Sequence, residues 1–353
     1  MPRNTPSNNP LRKLINLIFT LGALYSLIVS AILLLRGRLT EDNKSIGYFN
    51  SFAHMLMLPT LILMPINLLL RPWAAWLQVI PVASFIAAYG RLFTPRQLAA
   101  AEAASRTVKV MTFNLHGEAQ ILDPILDILR TSDADVISVQ ELSIDAADCF
   151  KLALAELYPH QALYADKKPS RGQGILSRHP IASEHYWRNP HIAHLSMGHL
   201  RVEIDVSGTL VTLYNTHPMH PGLSNDGFDT RPRGQEIDIL LEKAVQDTGP
   251  VLIMGDFNMT DQNEDYQRIT AQFSDSFYKT GSGMGFTFPD LSNFQALPDY
   301  WPLPVKLFPF LRLDYIFNNA SLRPIVVRVW PTAGGSDHRP VFAEFAFVNG
   351  DAE

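Results

Sequence analysis

Hydrophobic positions follow two regimes along this chain. Up to about residue 93 they form long unbroken runs. Beyond it they come in short bursts, most of them ended by a polar side chain. Leu14–Leu35 is 22 residues without a charge, bounded by Lys13 and Arg36, and a helix of that length spans the roughly 30 Å hydrocarbon core of a bilayer. Ile46–Leu70 is a second uncharged run of 25 residues, holding His54, Pro59 and Pro65. Pro72–Gly90 is a third, of 19 residues, with Trp73 and Trp76 near one end, where interfacial aromatics collect. A cleavable signal peptide expects an apolar stretch of about 7–15 residues; the first run is longer and two more follow it. The pattern predicts about three transmembrane helices over residues 1–93, then an Ala-rich helical linker over 94–106. His54 reads as a histidine turned toward neighbouring helices.

The second regime predicts a layered α/β domain over residues 107–353. Strands are expected at Val108–Asn114, Asp135–Glu141, Gly174–Ser177, His199–Asp205, Thr209–Thr216, Pro250–Met254, Leu313–Phe317, Ile325–Trp330 and Val341–Phe347. Helical spacing, with apolar residues three and four apart, marks Ala119–Thr131, Phe150–Leu157 and Gly234–Gln246. Mixed elements without strict alternation point to two sheets flanked by helices. No internal repeat is visible.

Charge divides at the same boundary. Residues 1–105 carry nine Lys/Arg against three Asp/Glu, and residues 106–353 carry 20 against 31. The chain therefore has two parts suited to different solvents. The net negative second part lacks the bulk basic excess with which nucleic-acid binders meet phosphate. The single cysteine, Cys149, excludes an intrachain disulfide and reads as a small buried hydrophobe.

Candidate chemistry sits where strands end, because strand ends on one side of a sheet lie together. In chain order these positions are Asn114, Glu141, Asn215 and His217, Asp256 and Asn258, Asp314, then Asp337 and His338. Oxygen-rich sets of this kind suit Mg²⁺ or Mn²⁺. Hydrolysis of a phosphoester needs such a cation, an aligned water and a proton for the leaving oxygen. Arg231 and Arg233 lie in a Gly/Pro/Asp-rich stretch, His220–Gly234, read as a loop that binds a substrate phosphate or head group. Phe286–Phe288 and Tyr300–Phe310 are candidates for an apolar lip.

The ordered segments TFN (Thr112–Asn114), VQE (Val139–Glu141), NTH (Asn215–His217), GDFN (Gly255–Asn258), RLDYIF (Arg312–Phe317) and GGSDHRPV (Gly334–Val341) resemble the endonuclease/exonuclease/phosphatase superfamily over about Val108–Phe347. That superfamily includes deoxyribonuclease, AP endonucleases, neutral sphingomyelinases and inositol polyphosphate 5-phosphatases. The resemblance implies a four-layer α/β/β/α sandwich with its site at one rim. It implies Glu141 as principal metal ligand with Asn114 beside it, and Asp337 as a further or second-metal carboxylate. Asp256 would orient the attacking water, Asn258 would hold a phosphate oxygen, and His338 would contact phosphate or act as base with Asp314 fixing its ring. His217 resembles the second histidine of the deoxyribonuclease and sphingomyelinase branches. Asn215, Arg231 and Arg233 complete the set as substrate contacts. One position departs: AP endonucleases carry Asp two residues after the first Asn, and this chain has His116, which puts a second tightly held metal in doubt.

These readings lead to a metal-dependent phosphoester hydrolase, with phosphodiesters as the main target, tethered to the lipid bilayer and acting on lipid or glycolipid head groups. The alternatives are a membrane-anchored endonuclease or exonuclease, with nucleic acid as the phosphoester, and a non-catalytic binding domain. Counting Lys and Arg near span ends does not orient the spans. With the N-terminus inside and three crossings, the catalytic domain lies outside the cytoplasm.

Overall fold

The computed structural model describes residues 10–94, 106–117, 122–192, 196–222, 227–291 and 308–348. It divides into two compact units, Met1–Arg91 and Leu92–Glu353.

The first unit is helical. α1 (Pro10–Leu35) is one uninterrupted helix. The second apolar run, expected as one span, is broken at Phe52 into α2 (Lys44–Ser51) and α3 (Ala53–Leu70). The Asn43 side chain caps α2 by accepting from Ser45 N–H, which fixes its start outside the longer helix. The third run is helical in pieces: α4 (Pro72–Ala75), a 3₁₀ turn at Trp76–Gln78, and α5 (Val79–Tyr89). Three segments, Pro10–Arg38, Ala53–Leu70 and Pro72–Phe93, are long and apolar enough to cross a membrane. Their packed faces are not purely apolar. Gln78 donates to Ser26 Oγ at 3.0 Å and accepts from Asn67 Nδ2 at 3.1 Å, all buried. In hydrocarbon such groups must find partners within the protein, and here the ties join α1, α3 and the turn before α5. His54 is buried, with its ring 6.4 Å from that of Tyr89.

The second unit is a sandwich. One sheet runs in the order β11-β12-β1-β2-β4-β3 and the other β5-β6-β7-β8-β10-β9. In the first, β1 (Thr107–Asn114) and β2 (Val136–Gln140) form a parallel pair, and β3 (His160–Tyr164), β4 (Gln173–Ser177), β11 (Leu322–Val329) and β12 (Val341–Phe347) add antiparallel. In the second, β7 (Thr209–Thr216) and β8 (Val251–Asp256) are the parallel pair. There the antiparallel strands are β5 (Ile181–Trp187), β6 (His199–Val206), β9 (Ser274–Asp275) and β10 (Asp314–Asn318). Parallel neighbours need a crossover, and the helices supply it: α6 (Asp123–Thr131) joins β1 to β2, and α8 (Arg231–Ala244) joins β7 to β8.

Period-two alternation sends each strand's side chains to two layers. Met111, Phe113, Ile137 and Val139 pack outward against Ile125 and Leu129 of α6 and Phe150 of α7 (Ile144–Ala153). Tyr214 and Ile253 pack outward against Ile237 and Leu240 of α8 and Ile269 of α9 (Glu264–Thr270). Two sheets between two helical layers give the expected four-layer α/β/β/α sandwich. A short α10 (Ser276–Thr280) follows β9.

Boundaries shift where caps act. The helix expected over Phe150–Leu157 is α7, because Ser143 Oγ accepts from Ala146 N–H at 3.2 Å and starts it earlier. α8 begins at Arg231, with Pro232 in its first turn, so both arginines assigned to a loop are helical. β3, β5 and the two-residue β9 have no counterpart among the expected strands. Cys149 is half-buried and packs on the first core. Apart from its two end residues, the linker 94–106 lies outside the described residues, as does most of Tyr300–Phe310.

Candidate active site

Strand ends converge at one rim, and each side chain arrives by its own backbone device. β1 ends at Asn114, whose Nδ2 donates to Glu141 Oε1 at 3.2 Å and to Asp256 Oδ2 at 2.9 Å. Its Oδ1 accepts from His116 N–H at 3.0 Å. The amide thus brackets two carboxylates from different sheets with its nitrogen, and does not turn its oxygen toward them. Glu141 follows β2 with φ +57°, and His116 and Asn258 also have positive φ. Non-glycine residues seldom occupy this region, and such strain gathers at functional sites. Gly117 N–H donates to Glu141 Oε2 at 3.0 Å.

β7 carries the chain to His217. Its Nδ1 lies 3.0 Å from the Ser170 carbonyl. A carbonyl only accepts, so Nδ1 holds the hydrogen and Nε2 is the nitrogen that faces the site. That Nε2 stands 3.5 Å from Asp256 Oδ2 and 3.8 Å from Glu141 Oε1. β8 delivers Asp256 through Gly255, where φ is +151° and a Cβ would lie 1.9 Å from the Thr216 carbonyl oxygen. No larger residue fits there. Asp256 Oδ1 accepts from Asn258 N–H at 2.9 Å, and Asn258 Nδ2 donates to the Pro218 carbonyl at 3.0 Å, so Asn258 ties the two loops together.

β10 lies antiparallel to β8 with Asp314 directly opposite Asp256. Two carboxylates so placed repel. His338 sits between them, with Nδ1 2.9 Å from Asp314 Oδ2 and Nε2 3.6 Å from Asp256 Oδ2. Burial works against a charge on His338, but Asp314 and Asp256 outweigh it and hold the imidazole pKa well above its ordinary value. Burial raises the Asp314 carboxyl, with His338 opposing. Ser336 fixes the loop: its Oγ donates to the Asn114 carbonyl at 2.7 Å and accepts from His338 N–H at 3.0 Å. The Phe288 ring lies 4.7 Å from that of His338 and walls one side.

The structure therefore gathers Asn114, Glu141, His217, Asp256, Asn258, Asp314 and His338. Asp337 stands beside this group, paired with His116 Nδ1 at 3.2 Å. Burial opposes its charge, but His116 and His338 hold its carboxyl below the usual range. Of the three expected substrate contacts, two are fully buried and the third is tied to its own turn. Asn215 is fully buried between the sheets, donating to the Val139 and Gly174 carbonyls at 2.8 and 3.0 Å and accepting from Gln140 Nε2 at 2.7 Å. Arg231 forks onto the Asp229 carboxylate on its own chain turn. Arg233 is fully buried, donating to Asp265 Oδ2 at 2.7 Å and to the Asn258 carbonyl at 2.6 Å. It braces the Asp256–Asn258 turn from behind. Ser170, Gly117 and Ser336 also fix the site; of these only Ser336, inside GGSDHRPV, carries a signal in the sequence.

A sequence model described as the endonuclease/exonuclease/phosphatase family matches residues 111–338, from the middle of β1 to His338. The chain belongs to the endonuclease/exonuclease/phosphatase family. Solved structures agree on the fold. An endonuclease/exonuclease/phosphatase from Bacteroides vulgatus shares 17% identity at a TM-score of 0.54, covering 69% of this chain and 100% of that one. TDP2 from D. rerio, complexed with single-strand DNA product, shares 17% at 0.54, covering 68% and 98%. Sphingomyelinase C from Streptomyces griseocarneus shares 20% at 0.51, covering 68% and 99%. No curated protein matches the chain in sequence. The family's fold is that of phosphoester hydrolases, and its matched segment contains every residue gathered at the rim.

Proposed function

We propose that this chain is a divalent-metal-dependent phosphodiesterase, held at a membrane by its N-terminal helices and acting on lipid or glycolipid head groups. The observation that carries the chemistry is the meeting of Glu141, Asp256, Asp314, His217 and His338 at one rim. The donor set fits a hard cation. The oxygens are carboxylates, and Asp256 and Asp314 stand directly opposite each other, close enough to repel. Asp256, Asp314 and His338 each offer an atom within 4.8 Å of the others. His338 is already bonded to Asp314 through Nδ1 and is disposed to keep its proton, which makes the trio a poorer cage than its spacing suggests. Glu141, partly exposed, is the better principal ligand, with Asn114 bracketing it and Asp256. Mg²⁺ or Mn²⁺ bound there would neutralise phosphate oxygens and favour the charge that builds on them.

The chain's own residues supply the rest. Asp256, with Asn114 and Asn258 N–H fixing its two oxygens, is placed to accept a hydrogen bond from the attacking water and align it. His338, charged by its two carboxylates, donates to a phosphoryl oxygen or to the leaving oxygen. His217 presents its Nε2 to the same space. Asp337 and His116 line the edge, where Asp337 remains open to a second ion.

The lipid reading rests on the three apolar helices, which would keep the site near head groups, and on the second unit's net negative charge, which does not favour nucleic acid. The test uses the full chain in detergent micelles with Mg²⁺ or Mn²⁺ against bis-p-nitrophenyl phosphate, plasmid DNA and mixed lipid vesicles. Hydrolysis of the chromogenic ester and of a vesicle lipid is expected, with loss in Glu141→Ala and His338→Ala. Activity surviving in both variants would sink the site assignment, and cleavage of DNA alone would replace the lipid by nucleic acid. A reporter fused after Glu353, expected outside the cytoplasm, tests the topology.

A further inference from the structure

Helix α8 carries two charged side chains, Arg233 and Glu236, that are both 0% exposed. They lie one helical turn apart, on one face. Burying two charges is costly, and such pairs are weak devices for stability alone. What they touch is informative. Arg233 donates Nη1 to the carbonyl of Asn258 and Nε to Asp265. Glu236 accepts the Met219 N–H on Oε2 at 2.6 Å, and its Oε1 lies 3.5 Å from His199 Nε2. The other nitrogen of His199 meets Thr216 Oγ1 at 2.7 Å. Thr216 and Met219 flank His217–Pro218. The carboxylate and its histidine partner therefore grip the His217 segment from both sides, while the arginine grips the turn that bears Asp256 and Asn258.

We infer that Arg233 and Glu236 are positioning residues of the phosphodiesterase site, a paired brace through which α8 sets the spacing between the His217 segment and the Asp256–Asn258 turn. This rests on the function proposed above. Neither side chain reaches the rim, so neither is a catalytic residue. Both act on main-chain groups, one on a carbonyl and one on an N–H, and the Asn258 side chain bonded to the Pro218 carbonyl closes the loop between their two targets. The Glu236 charge is maintained in place: burial opposes it, but His199, Ser196 and the Met219 N–H hold its carboxyl below the usual range. A site gains its rate from atoms held to a fraction of an ångström, and braces behind the reacting groups supply that tolerance.

The experiment uses the full chain in micelles with Mg²⁺, bis-p-nitrophenyl phosphate as probe, and the variants Glu236→Leu, Glu236→Gln and Arg233→Lys, assayed well below their melting points. Gln keeps an oxygen for the Met219 N–H; Lys keeps the charge but cannot fork to two partners. Glu236→Leu and Arg233→Lys are expected to lower kcat by about 10- to 100-fold with KM within about threefold, and Glu236→Gln to stay within about threefold of the parent. Unchanged kcat in the Leu and Lys variants, with only a lower melting point, overturns the inference. If Glu236→Leu does not fold, Arg233→Lys decides alone. Hydrogen exchange gives a readout free of activity: faster exchange confined to Thr216–Met219 in Glu236→Leu and restored in Glu236→Gln is expected, whereas unchanged exchange there, or an equal rise across β7 and β8, overturns the brace. Glu141→Ala in the same assay separates the two ideas, since full activity in it defeats the phosphodiesterase reading, while its loss beside unaffected α8 variants defeats only the brace.

Discussion

The two histidines of the rim stand on opposite arms of the site and are backed differently. His338 has a buried carboxylate behind Nδ1 and a second carboxylate ahead of Nε2. His217 has only a main-chain carbonyl behind Nδ1. Both are thereby held with Nε2 facing Asp256, so orientation alone does not separate them. The backing does. A carboxylate favours the imidazolium, while a carbonyl selects a tautomer without adding a full charge. His338 is thereby held toward its charged form, while His217 is fixed in orientation by a neutral group, so one residue type is anchored in two ways.

The largest test of this contrast is Asp314→Asn, which keeps the shape and removes the charge behind His338. Turnover is expected to fall by about 10³-fold or more, and a loss under tenfold would place the two histidines on equal terms. His217→Ala should cost less, about 100-fold; a greater loss than His338→Ala reverses the ranking. The pH profile comes next. His338 has its pKa raised, so a step needing its proton proceeds at neutral pH and declines as pH rises through that raised value. In the residual activity of Asp314→Asn this alkaline limb should move down toward the ordinary histidine value near about 6.5, and an unmoved limb would mean another group controls it. The smallest effect lies beneath His217. The depressed Glu236 carboxyl contributes stability that is present above the ordinary glutamate value of about 4.3 and is lost as pH falls through its lower folded value. Denaturant midpoints of parent and Glu236→Gln should differ most at neutral pH and converge in acid; parallel curves would show that the charge contributes nothing.

The site was more legible in the sequence than the scaffold around it. Asn114, Glu141, His217 and Asp256 each end or follow a hydrophobic strand, where the alternating pattern stops being buried, whereas Asp314, expected after a strand, opens β10 and reaches the rim because β10 runs antiparallel to β8. The same rule misled at Asn215. It lies two residues before His217, on the same face of β7 but one step deeper, so its amide closes on Val139, Gly174 and Gln140 inside the sandwich. Arg231 and Arg233 misled because glycine, proline and aspartate nearby read as loop, while Pro232 in fact sits in the first turn of a helix, the one place where it is welcome. β3 and β5 escaped because their side chains, such as His160, Gln161, Glu184 and His185, are too polar to show alternation. The positive φ of Glu141 and the carbonyl behind His217 leave no mark in a sequence, since backbone groups are the same at every position.

The amide of Asn215 has one more consequence. Its nitrogen belongs to one sheet by sequence and to the other by bonding, and Gln140 returns the contact from the opposite side. Gln140 also bonds to Thr112 and Ser138 within its own sheet, whereas the Asn215 amide finds its partners only across the sandwich, and a slip of one residue in either strand would leave it buried without them. The interlock therefore acts as a register key. A chain that docks its halves out of step is penalised at the centre, which favours the one pairing that brings the strand ends together at the rim.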